Sequence, residues 1–336
     1  MSDDNNLVWH YTDAAGLLSI LRTDTLWATS SQFLNDRGEI ELGQHLAGER
    51  MAQRAQAEPD GVYGQVRQLM RDKGEEAAPR GREGVPEAGA IFFVLSASSA
   101  PDSLAMWRNY GGAGESYALG LDRDESLRVL GTAPGIRSTP GTATVGSTGR
   151  LRRKPWRSVR YARAAQEELI DAVLDNRAAT LRRIRDALGS QPSGATPEEM
   201  REALSKDQEL DLQGMFDDLE DALLLIKHPG FVDEDEVRAS YVLWMQGDRS
   251  TLLHDLADVV QYRPSRYGLA PYLQLTGPGD DPDTLLTPAS CPLPIRAVTV
   301  SPSAHGAAAE QSVRDLLAAH GRADVPVTRS GIPFRE

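Results

Sequence analysis

Ala90-Ile91-Phe92-Phe93-Val94-Leu95 is the run around which the rest of the chain organises. It is short, apolar and rich in residues that favour extended backbone, and Ser96 ends it, which predicts a strand buried at the centre of a sheet. Toward the C-terminus, Ser103 to Tyr110 has helical composition, Gly111, Gly112 and Gly114 mark a turn, and Ser116 to Leu121 predicts another strand. Toward the N-terminus, Leu26 to Thr29 and Leu7 to Tyr11 predict two more. Between those two, Thr12 and Asp13 offer caps for a helix whose apolar stripe is Leu17, Leu18, Ile20 and Leu21. Asn35 and Asp36 mark a turn before helical composition from Gly38 to about Ala57, and Val66, Leu69 and Met70 suggest a further amphipathic turn or two.

Farther out, residues 131–150 are rich in Gly, Thr, Ser and Pro and predict a mobile loop or a loosely paired hairpin, with Val159 to Tyr161 re-entering the sheet. A long helix is expected over 162–188 and more helix over 198–226. Glu236 to Trp244 alternates like a strand, Pro271 to Leu275 and Ile295 to Val300 predict two others, and Ala307 to His320 closes the chain as a helix. Strands at both ends with helices between them predict an α+β fold with a largely antiparallel sheet. One domain is expected, with a helical insertion lobe at 162–226 and flexible loops at 58–88 and 131–150.

The 336 residues carry 36 Lys and Arg against 49 Asp and Glu, a formal charge of −13, so any polyanion partner needs a local basic face to overcome the average repulsion. Hydrophobic residues at 40% and charged ones at 25% suit a folded core. No run approaches the roughly 20 apolar residues of a membrane helix, and Met1 to Asn6 is polar rather than a basic leader, so no membrane association is expected and a cytoplasmic location is. One cysteine, Cys291, excludes an intrachain disulfide and a four-cysteine zinc site.

Familiar signatures are missing. There is no GxxxxGK[ST] loop, no HExxH and no GxSxG, and the six histidines are scattered. One basic run stands out: Arg150, Arg152, Arg153, Lys154, Arg157 and Arg160 surround Trp156. It reads as a solvated linker leading into a strand, or as a grip on a phosphate backbone with an aromatic to stack a base.

An ordered series of motifs carries a resemblance. It comprises His10-Tyr11-Thr12, Leu26-Trp27-Ala28-Thr29, Leu34-Asn35-Asp36 and the run from Asp102 to Gly111. It continues through Val159-Arg160-Tyr161, Lys227 to Phe231, Glu234 to Arg238, Arg266 to Tyr272, Pro302-Ser303 and Ile332 to Arg335. Over nearly its whole length the chain resembles the bacterial domain-of-unknown-function family 2971, a family without a settled activity. More distantly, WHYT with the helix after it, LWATS, and Glu234-Asp235-Glu236 resemble ADP-ribosyltransferases of the His-Tyr-Glu kind.

That second resemblance implies that the largely antiparallel sheet is split, as in ADP-ribosyltransferases, and that the chemistry is on NAD. Glu236 would be the carboxylate that stabilises an oxocarbenium-like state at the ribose, and Glu234 would position the nucleophile from the same strand face. His10, with Tyr11 and Thr12 beside it, would hold the adenosine ribose, Tyr110 or Tyr117 would pack the nicotinamide, and Arg108 would grip the pyrophosphate. His10 and Glu236 would then line one cleft, with Ser96, Ser103 and Tyr110 on its rim. The expected function is transfer of ADP-ribose from NAD to a macromolecular acceptor, protein or nucleic acid.

Two alternatives stand beside it: a non-catalytic module that senses a nucleotide or nucleic-acid end, as in phage defence, and a nuclease using Asp36, Glu39 and Glu236 with a divalent cation. Each residue also has a plainer use. Glu236 sits where an ion pair with Arg238 or Lys227 would form, Arg108 where a structural ion pair would, and Trp27 and Trp107 suit core packing.

Overall fold

The computed structural model describes residues 6–33, 37–59, 63, 89–111, 114–133, 136–139, 141–145, 149–189, 218–245, 253–266, 268–279 and 284–333. The Leu34-Asn35-Asp36 motif, Val66, Leu69, Met70, Gly112, Tyr267, Phe334, Arg335, most of 58–88 and 190–217 lie outside them. The chain divides into two compact units, one built from residues 1–34, 86–159 and 230–336, the other from 35–85 and 160–229.

The first unit is α+β. Its strands are β1 (Leu7–Asp13), β2 (Leu26–Ser30), β3 (Gly89–Ser98), β4 (Ser116–Asp122), β5 (Arg128–Leu130), β6 (Arg137–Thr139), β7 (Thr142–Val145) and β8 (Gly149–Ser158). They continue with β9 (Glu236–Met245), β10 (Val260–Ser265), β11 (Gly268–Thr276), β12 (Leu286–Thr287), β13 (Ile295–Val300) and β14 (Val327–Arg329). All pair into one sheet, antiparallel except for β5 with β12 and β13 with β14.

The apolar run at Ala90 to Leu95 is the middle of β3, and β3 is where the sheet forks. One edge of β3 pairs with β9 along its length, from Gly89 opposite Met245 to Ser98 opposite Glu236. Its other edge is shared: Phe93 and Val94 pair with Ser30 and Thr29 of β2, and Ser98 pairs with Trp9 of β1. Beyond β1 the order runs β4, β13, β14, and beyond β2 it runs β11 and β5, with β10 also on β11. β9 leads outward to β8, β7 and β6.

One face of this sheet holds the main core, including Val8, Phe93, Leu95, Leu119, Val237, Ala239, Leu243, Leu273 and Val298 with Leu17, Ile20 and Leu21 of helix α1 (Ala14–Thr23). Asp13 caps α1 by accepting from Gly16 N at 2.7 Å. On the opposite face at β1, a smaller cluster of Trp9, Tyr11 and Ala118 packs on Met106 and Trp107 of helix α2 (Leu104–Tyr110).

The second unit contains helices α3 (Arg37–Ala57) and α4 (Arg163–Gly189) and a helical turn at 218–223. Leu46, Ala47, Ile170, Leu174, Leu219, Leu223 and Ile226 form its core. Arg50 meets Asp171 at 2.5 Å, and Arg54 bonds Asp171 and Asp175. Helix α5 (Gly306–Ala319) belongs to the first unit, where Ala309, Val313 and Leu317 join the main core.

The sheet corrects one sequence expectation in kind. The basic run does not lead into a strand at Val159 to Tyr161; it is itself the strand β8, which ends at Ser158. Arg160 instead makes an isolated bridge to Ile226. Within the expected loop at 131–150, β6 and β7 form the hairpin and β7 pairs onto β8.

Candidate functional site

Strand parity decides which side chains share a face, because residues directly opposite in an antiparallel ladder point to the same side and their neighbours to the other. Trp9 lies opposite Ser98, and Ser98 opposite Glu236, so Trp9, Ser98 and Glu236 share one face. His10 therefore belongs to the other, with Leu119 opposite it. The expectation that His10 and Glu236 line one cleft is corrected by this register. Tyr117, opposite Thr12, stands on the His10 side as well, whereas Tyr11, Ser96, Arg238 and Glu236 are on the far one.

His10 is half-buried at the fork. Its Nδ1 lies 3.1 Å from the carbonyl of Ser96, on the stretch of β3 edge between the β2 and β1 ladders. A carbonyl only accepts, so Nδ1 carries the proton and Nε2 of the neutral ring is left as an acceptor. Burial lowers the imidazole pKa, opposed by the bond to Ser96.

Glu236 is a buried ion-pair partner. Arg238 donates Nε to Oε1 at 2.7 Å and Nη2 to Oε2 at 2.8 Å, with side-chain exposures of 5% and 4% for Arg and Glu. Glu234 is not two positions back on the same strand: it ends a 3-10 helix, Pro229–Glu234, and Asp235 turns the chain with φ of 42° before β9 begins. The Glu234 carboxylate, buried, accepts from Asn109 Nδ2 at 3.1 Å and Tyr110 OH at 3.4 Å.

These contacts belong to a clasp between the β3–α2 loop and the entry to β9. Ser98 Oγ donates to the Glu234 carbonyl at 2.8 Å, Ser99 N to that of Asp235 at 2.9 Å, and Ser103 Oγ to that of Asp233 at 3.2 Å. Ser103 also caps α2. Tyr11 OH donates to Ala100 O at 2.7 Å and accepts from Ser103 N at 3.1 Å, and burial raises its pKa. Tyr117 OH donates to Glu115 at 2.8 Å, and burial first and this carboxylate second raise its pKa. Arg108 is exposed on α2 without a partner among the described residues. Ser103, Tyr110 and Glu234 thus do converge, with their polar atoms committed to holding the loop. Asp36 of the expected carboxylate set lies outside the described residues, among which no cluster of three metal-ligating side chains occurs.

What the face shared by Glu236 carries in quantity is positive charge. Arg150 lies opposite Trp244, Arg152 opposite Val242, Lys154 opposite Ser240 and, past a bulge, Arg157 opposite Arg238. Arg150 also faces Thr144 across β7, and Thr144 faces Arg137 of β6. On β6 and β8 this face therefore carries Arg137, Arg150, Arg152, Lys154 and Arg157, while Arg238 of β9 is buried in its pair with Glu236. Arg137, Arg150 and Arg152 are exposed, Lys154 and Arg157 half-buried, and Arg157 Nη2 donates to Ser240 Oγ at 3.1 Å. Leu151 and Trp156 turn the other way into the main core.

Residues 106–239 match the family model described as Protein of unknown function (DUF2971). The match supports that family over a stretch from within α2 to the first residues of β9, and so includes the whole of β8. No curated protein and no solved structure matches the chain.

Proposed function

We propose that the chain is a binding module for single-stranded nucleic acid, held through its phosphates on the cationic face of β6 to β9. The observation that carries this reading is the register of β6 and β8, which sets exposed Arg137, Arg150 and Arg152 on one side while β8 sends Leu151 and Trp156 into the core. In a chain of charge −13 such a concentration works against the average field and has to be built deliberately from sequence. Arginine suits the task because its planar fork matches phosphate oxygens in pairs and stays charged at all working pH. Threonines 142 and 144 on the same face add hydroxyl donors to a backbone ligand.

The test is anisotropy of a labelled single-stranded oligonucleotide at fixed low salt. Arg150→Glu with Arg152→Glu should weaken binding at least tenfold and leave the melting temperature within a degree or two, since both side chains are exposed. Arg22→Glu, an exposed change at the end of α1, should leave binding unchanged. Equal binding by all three proteins contradicts the reading.

A second reading has its own observation. The fork of the sheet leaves His10 Nε2 as an acceptor beside the β3 edge, which suits a ribose hydroxyl of an NAD-like nucleotide bound without cleavage. The carboxylate expected to cleave NAD, Glu236, is on the other face and paired with Arg238, so transfer of ADP-ribose draws no support from this arrangement. A rise in melting temperature at saturating NAD, lost in His10→Ala, would favour this reading; no rise would end it.

A further inference from the structure

Trp27 suits core packing by its sequence, yet its side chain is 43% exposed while its strand neighbours Leu26 and Ala28 are buried at 1% and 0%. β2 alternates, so Trp27 stands on the face away from the main core. Register brings it company: Gln274 of β11 lies directly opposite, Tyr272 opposite Thr29, and Arg263 of β10 opposite Ala270. The Tyr272 ring centroid is 4.9 Å from that of Trp27 at a tilt of 46°. The Arg263 guanidinium is 5.6 Å from the Trp27 ring centroid and is steered there by Nη2 donating to Thr29 Oγ1 at 3.1 Å. No carboxylate among the described residues pairs with Arg263.

A half-open indole, a second ring propping it and an oriented cation with no anion beside it among the described residues form a combination with a chemical complement. An aromatic ligand surface stacks on the indole, and a phosphate answers the guanidinium. A cationic ligand is disfavoured because Arg263 already occupies the position a cation would take over the ring. The face is also the right one. Thr29 lies opposite Val94, and Val94 opposite Ser240, so Trp27 and the cations of β8 are on one side of one sheet, with the stretch between them covered, Val94 and Ser240 being 3% and 1% exposed. From β2 through β3 and β9 to β8 there are three interstrand steps, about 14 Å at ~4.8 Å each.

We propose that Trp27, with Tyr272 and Arg263, is a base-stacking site for one nucleotide of a single-stranded nucleic acid whose backbone is held at β8. This rests on the reading of the cationic face and supplies what that face lacks, a contact to a base rather than to a phosphate.

An oligodeoxyadenylate and an abasic oligomer of the same length separate the two contributions. Wild type should bind the base-bearing oligomer at least tenfold more tightly, with quenching of tryptophan fluorescence, as expected for a stacked base. Trp27→Leu should bring oligodeoxyadenylate down to the abasic level and leave abasic binding unchanged, and Arg263→Gln should weaken the base-bearing oligomer more than the abasic one. Arg150→Glu with Arg152→Glu should weaken both oligomers by the same factor. Thermal melts of each variant establish that the compared proteins are folded. Equal affinity of wild type for the two oligomers, or a folded Trp27→Leu protein that keeps the preference, overturns the stacking site while sparing the cationic face. Failure of both oligomers to bind overturns both.

Discussion

Glu236 and Arg238 close a two-point ion pair along one strand, at 2.7 and 2.8 Å, with both side chains nearly out of solvent. Taking two charges out of water is costly, and the pair persists because each satisfies the other's geometry; removing one partner leaves the second charge exposed to the full cost. Glu236→Gln should therefore lower unfolding free energy by about 3–5 kcal/mol in a urea titration. Replacing both, as Glu236→Leu with Arg238→Met, should recover at least half of that loss. A stable Glu236→Gln protein would show that the pair is not what holds β9 here.

His10 gives a pH signature. Burial holds its folded pKa below the ordinary 6.5. Below 6.5 the unfolded chain takes up a proton that the folded chain resists, so stability falls as pH drops from 6.5 toward the folded pKa and is level above it. The limiting slope is about 1.4 kcal/mol per pH unit for one proton. His10→Asn keeps a donor for the Ser96 carbonyl and cannot titrate. Denaturation midpoints of the two proteins between pH 7.5 and 5.5 should diverge in that direction; parallel curves would place His10 in a more solvated setting.

Asp102 ties the start of α2 to the C-terminal strand. Its Oδ1 accepts from Trp107 Nε1 at 2.8 Å and Ser330 Oγ at 2.7 Å, and its Oδ2 from Gly331 N at 2.8 Å. Asp102→Ala strands the indole N–H of buried Trp107 and should cost about 3 kcal/mol. Hydrogen exchange should quicken at Val327 to Arg329 of β14 before it does in β3. Unchanged protection there would mean that β14 is held by its pairing with β13 alone.

Much of the sheet was legible because each strand announces itself locally. The apolar run at Ala90 to Leu95 is the middle of β3, and Leu7 to Tyr11, Ser116 to Leu121 and Ile295 to Val300 lie inside β1, β4 and β13. β8 was harder: Arg150, Arg152 and Lys154 on one side read as a charge run until β9 supplies the partner that shows the period of two. β10 carries Pro264 and polar residues, as edge strands do, and resembles a loop. Short β14 depends on β13 for its identity.

The site was less legible for a reason of register. His10 and Glu236 are each correctly placed on strands β1 and β9, yet whether they share a face depends on parity across the β3 ladders, where a slip of one residue reverses every side chain. No local pattern carries that. The alternation that exposes Trp27 was present in Leu26-Trp27-Ala28-Thr29, but a large aromatic suits the core as well, and only Arg263 and Tyr272, more than 200 residues away, distinguish the two.

The salt dependence of oligonucleotide binding tests the cationic face most directly. Each phosphate neutralised on a single strand contributes about −0.7 to the slope of log K against log salt. Contacts from exposed Arg137, Arg150 and Arg152 predict a wild-type slope of about −2. Arg150→Ala with Arg152→Ala should make that slope shallower by about 1.4 and weaken binding at every salt concentration. A wild-type slope near zero, or one that the double variant leaves unchanged, would contradict the assignment of β8 as the phosphate-binding strand.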